Sequence, residues 1–156
     1  PLQQAEALWN NLSQHLTPAS KADWDWREIQ AGIPEIVAAT QEAFVPQMIN
    51  LDLLNGINFK KGCYTGQEIV ARTHYLGKVK RRTHLAYIDS AIPPQAGDEI
   101  LDGNGSAVGL VVRNAPNPAG GQYVLAELRL ESVETGGLNW QGKPLEISPL
   151  PYSLEK

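Results

Sequence analysis

A single cysteine among 156 residues removes one class of architecture. With Cys63 alone no intrachain disulfide can form, and a small secreted domain stapled by bridges is excluded. A lone thiol fits a reducing compartment, so a cytoplasmic location is expected. No apolar run approaches the ~20 residues of a bilayer-spanning helix, and no membrane partner is expected. The opening Pro1-Leu2-Gln3-Gln4 has neither a start methionine nor a signal-peptide pattern, which reads as the interior of a longer protein. A hydrophobic content of 42% and a charged content of 19% suffice to bury one core or two small ones.

Net positive charge is also missing. The formal balance is −4, which argues against a general nucleic-acid binder, but the charge is segregated. Between Leu53 and Ile88 stand Lys60, Lys61, Arg72, Lys78, Lys80, Arg81 and Arg82, with Glu68 the only acid. This stretch carries +6 and leaves −10 for the rest. Such segregation attracts anions or an anionic partner, and the patch surrounds Cys63.

Ala5, Leu8, Trp9, Leu12 and Leu16 recur at three- and four-residue steps, which predicts an amphipathic helix over 2–16 stopped by Thr17-Pro18. A second helix fits Trp24 to Ala31, with Ser20 or Asp23 as cap, Gly32 past its end and Pro34 beyond. Trp26 falls in step with Ile29 and Ile33 on a core face. Trp24 then lies on the polar side beside Arg27 and Glu28, an indole free to stack on a flat heteroaromatic. Alternation in Asp23-Trp24-Asp25-Trp26 leaves a strand as the other reading. From Pro34 to Phe59 the punctuation is irregular. Thr65-Gly66-Gln67-Glu68 matches a capping box and predicts a third helix ending at Gly77. Strand patterns then follow at Val79 to Ile88, Glu99 to Leu101, Ala107 to Val112, Gln122 to Leu130 and Leu145 to Ile147. Asp102-Gly103-Asn104-Gly105 is a hairpin turn signal. These short strands predict a small antiparallel barrel, with a boundary near Gly77.

Lys60 and Lys61 precede Cys63, a helix start follows it, and Gly62 and Gly66 bracket it. Cations and a helix N-terminus favour the thiolate, the form that attacks and ligates. His74 and His84 stand 11 and 21 residues further on, intervals that match no compact zinc pattern, so no metal is expected. No glycine fingerprint for phosphate precedes a helix.

Lys61-Gly62-Cys63-Tyr64-Thr65-Gly66-Gln67-Glu68 resembles the signature of the YgfZ family, relatives of the glycine-cleavage T-protein. Further anchors are Ile29-Gln30-Ala31-Gly32-Ile33-Pro34, Phe44-Val45-Pro46-Gln47, Gly56-Ile57-Asn58-Phe59-Lys60 and Pro149-Leu150-Pro151-Tyr152-Ser153-Leu154-Glu155. The resemblance implies an α+β chain: residues 1–77 as the C-terminal part of a T-protein-like folate-binding α/β domain, and residues 78–156 as a small β-barrel. It implies tetrahydrofolate as cofactor, Cys63 as the functional thiol and Trp24 as part of the folate site. Iron–sulfur proteins or their assembly factors are the implied partners, with a link to enzymes that thiolate tRNA. Family members are about twice this length, and part of the folate site lies in the portion not present here. A folate-dependent one-carbon transferase is the first alternative, although that chemistry needs no cysteine. A tRNA-binding module using Arg81 and Arg82 is the second.

Overall fold

The computed structural model describes residues 2–154 and combines four α-helices with one seven-stranded antiparallel sheet. Pro1 and Glu155, quoted above, lie outside the described residues. The strands are β1 (Arg81–Ile88), β2 (Glu99–Leu101), β3 (Ala107–Pro116), β4 (Gln122–Arg129), β5 (Asn139–Trp140), β6 (Lys143–Pro144) and β7 (Glu146–Ser148). Their order across the sheet is β6-β5-β2-β3-β4-β1-β7. The two outermost strands are separated in the chain by Leu145 alone, so the sheet curls until its edges nearly meet. This is the barrel-like form that the spacing of short strands predicts.

Strands β1 and β4 are in register from Arg81 opposite Arg129 to Ile88 opposite Gln122. Side chains alternate between faces along each strand, and here both faces are covered. Ala86, Ile88, Val124, Ala126 and Leu128 point into the barrel with Ile100, Val111, Trp140 and Leu145. Leu85 and Leu125 point outward, where Val112, Ala115, Ile29 and Ile49 bury them. Residues on either side of Gly77 therefore share this second core. A bulge in β3 between Val111 and Arg113 lets Val112 and Arg113 both face helix α2 (Lys21–Gln30). Arg113 then reaches Asp25 and Glu28 of that helix at 2.8 and 2.7 Å.

Helix α2 starts as its sequence directs. Ser20 accepts from the Asp23 amide and Asp23 reaches back to the Ser20 amide, a complete capping box. Trp26 is half-buried against the outer core, whereas Trp24 is 64% exposed. Gly32, at φ +70°, ends the helix in the left-handed region. Helix α1 (Leu2–Leu12) is shorter than predicted and buries none of its residues.

Two expectations are corrected. Thr65 is not the cap of helix α3 (Gln67–Tyr75): Gly66 is, at φ +84°, with no side-chain cap. The reciprocal partner is Gln67, whose side-chain oxygen accepts from the Tyr64 amide at 3.3 Å. A glycine able to turn left-handed moves the helix start one residue beyond the threonine. Leu130, predicted as the end of a strand, instead opens a short helix α4 (Leu130–Thr135) that leads directly out of β4.

Candidate functional site

The segment from Asn55 to Gly66 carries the cysteine as a loop. The Lys60 amide donates to the Asn58 side chain at 2.9 Å, and the Lys61 ammonium lies 4.7 Å from the centre of the Tyr64 ring. Phe59 stacks on His74 with ring centres 3.9 Å apart, and Tyr75 meets both edge-on. This aromatic group ties the loop to the last turn of α3. The middle of α3 is tied to the turns before the loop: Val70 is buried and its carbonyl accepts from Gln47 Nε2 at 2.7 Å. Cys63 itself is free and exposed, three residues before the α3 cap. A Cβ added at Gly62 would meet nothing within 4 Å, so the backbone beside the thiol is open to approach.

The basic residues divide into two sets. Arg82 is internal: its guanidinium binds both Asp52 oxygens at 2.6 and 3.0 Å and the Gln47 carbonyl at 2.7 Å. The two side chains are only 5% and 1% exposed. Arg81 binds both oxygens of the buried Glu127 and the Val108 carbonyl. The anion patch is thus smaller than the count along the chain predicts, because Asp52 and Glu127, both outside that stretch, neutralise two of its seven cations. Lys60, Arg72, Lys78 and Lys80 are exposed and enter no salt bridge among the described residues.

Lys78 lies where α3 meets the sheet. On one side a cleft of about 320 Å³ is walled by Thr73, His74, Lys78, Leu130 and Leu154, with Gln47, Asp52 and Arg82 also lining it. On the other, Lys78, Lys80 and Arg81 border a wider concavity with Arg129. Cys63 lines neither. Trp24 sits elsewhere, on the outer side of α2, a helix held to the sheet by Arg113. The structure therefore gathers Lys78, Lys80, Arg81 and Arg82 at one end of β1, leaves Lys60, Lys61 and Cys63 on the loop, and carries Trp24 on a third element. His84 is buried, which pushes its imidazole below its ordinary 6.5, and its Nδ1 lies 3.0 Å from the Arg82 carbonyl. This makes it a structural residue.

Asp52 and Arg129 belong to no motif in the sequence, and Gln47 stands out only within the Phe44-Val45-Pro46-Gln47 anchor. Arg129 carries a signal in hindsight, a cation at the last position of a strand pattern. Asp52 and Gln47 carry no signal of their contacts, since their partners are 30 and 23 residues away. Among the described residues no group of three His, Cys, Asp or Glu is placed to hold a metal ion, and no helix is long and apolar enough to cross a membrane. Fold and site together define an α+β chain in which a thiol-bearing loop and helix adjoin a small antiparallel barrel. No protein-family model matches the chain.

Proposed function

We propose that the chain belongs to the YgfZ family and acts as a tetrahydrofolate-binding accessory factor for iron–sulfur cluster assembly or repair. It thereby supports tRNA-thiolating enzymes, with Cys63 as its reactive thiol. The observation that carries this reading is the placement of Cys63: an exposed, free thiol on a loop anchored at both ends, inside the octapeptide on which the resemblance rests. An exposed thiol can meet a cluster, a sulfur donor or a redox partner without the protein opening. Lys60 and Arg72 keep uncompensated positive charge on the flanking segments.

Bound tetrahydrofolate would present a flat pterin for stacking and an anionic glutamate tail. The chain offers a 64% exposed indole at Trp24 for the first. It offers the unpaired ammonium groups of Lys78 and Lys80 for the second or for an anionic partner. A one-carbon transferase fits less well, because its chemistry assigns no work to a thiol. Cys63→Ala leaves an exposed position and is expected to keep the fold, while iron–sulfur enzyme activity in cells falls roughly tenfold or more. Undiminished activity with Cys63→Ala would remove the proposal.

A further inference from the structure

We propose that the end of the β1–β4 pair is a binding cleft for phosphate groups, built by Lys78, Lys80 and Arg129. Arg81 and Arg129 stand directly opposite each other in the antiparallel ladder. Like charges directly opposite each other destabilise a sheet. Glu127 relieves only one of them, since both its oxygens go to Arg81. Arg129 is exposed at the end of β4 and, like Lys78 and Lys80, enters no salt bridge among the described residues.

These three cations line a concavity of about 660 Å³ together with Val79, Arg81, Leu130 and Glu131. The Leu130 amide donates to the Lys80 carbonyl at 3.0 Å and fixes one wall against the other. Once Arg81 is set against Glu127, three cations face one acid, Glu131, and the cleft carries two positive charges in excess. A phosphate monoester brings about −1.5 to −2 at neutral pH and matches that excess. A single carboxylate leaves half of it uncompensated. Arg129 offers a planar fork for two phosphate oxygens, and the lysines act as point charges beside it. A free phosphate or diphosphate supplies this charge in one group, and the backbone of a nucleic acid supplies it as two neighbouring phosphodiesters of one negative charge each. The cleft does not depend on the Cys63 half of the proposed function, because Cys63 does not line it, although it shares Lys78 and Lys80 with the folate-tail half.

The full chain is titrated with inorganic pyrophosphate by calorimetry. It is also titrated with a short single-stranded RNA by fluorescence anisotropy, at about 50 and about 200 mM salt. Pyrophosphate affinity is expected to fall roughly tenfold or more in Arg129→Gln and in Lys80→Gln, since a hydrogen bond to a charged group is lost. Arg27→Gln, which removes an exposed cation on α2, is expected to leave it unchanged. RNA binding whose salt slope drops by about one in Arg129→Gln assigns the phosphate to a nucleic acid. Pyrophosphate binding without RNA binding assigns it to a small ligand. The inference is overturned if neither probe binds, if Arg129→Gln binds like the parent, or if Arg27→Gln loses as much.

Discussion

Gly66 holds the start of α3 at φ +84°, a conformation that costs an L side chain about 1–2 kcal/mol. Gly62, four residues earlier in the same signature, has an ordinary backbone and open space around it. The two glycines should therefore separate on substitution. Gly66→Ala is expected to weaken α3 by about 1 kcal/mol and to speed exchange of its amides roughly fivefold, measured by hydrogen–deuterium exchange. Gly62→Ala should leave both within about 0.5 kcal/mol of the parent. Equal effects would place the strain elsewhere in the loop. At this scale the sequence was partly legible. Ser20 and Asp23 cap α2 as their spacing indicates, whereas the equally good pattern at Thr65 and Glu68 is overridden by the glycine between them. A capping motif specifies donors and acceptors but not which of two adjacent residues turns.

Residues 45–55 form turns with no ladder of their own, and side chains hold them to β1. Asn50 Nδ2 donates to the Thr83 carbonyl at 2.7 Å, Thr83 Oγ1 donates to the Met48 carbonyl at 3.0 Å, and Asp52 receives Arg82. The Asp52–Arg82 pair is the costliest of these to break, because the survivor stays buried with its charge. Asp52→Asn is expected to destabilise the protein by about 3–5 kcal/mol, read as a lowered urea midpoint at unchanged slope. A loss under about 1 kcal/mol would mean that water reaches the guanidinium. The irregular punctuation from Pro34 to Phe59 correctly signals turns, but nothing local reveals what fastens them. The same limit explains the basic patch: adding charges along the chain cannot see Asp52 or Glu127 arriving from elsewhere. Strands β1, β3 and β4 were legible because each repeats its pattern long enough to be read, and the three-residue β2 because a hairpin turn signal follows it. The two-residue strands β5 and β6 and the single-turn α4 are too short for any periodicity to register.

For the molecule as a whole, the buried His84 couples folding to pH. Burial keeps the imidazole neutral in the folded state, below its ordinary 6.5, so the unfolded chain binds the extra proton first as pH falls. Stability is therefore complete above about pH 6.5 and declines as pH drops toward the folded-state value. In His84→Gln this decline below about pH 6.5 should flatten in thermal melts, and parallel profiles for variant and parent would count against His84 as its source. The sheet has a second consequence at this scale. Its two edges are the two-residue β6 and the three-residue β7, joined through Leu145. An extended peptide needs a longer run of unpaired backbone to add itself as another strand. The seam between β6 and β7 therefore offers almost no main chain to an added strand.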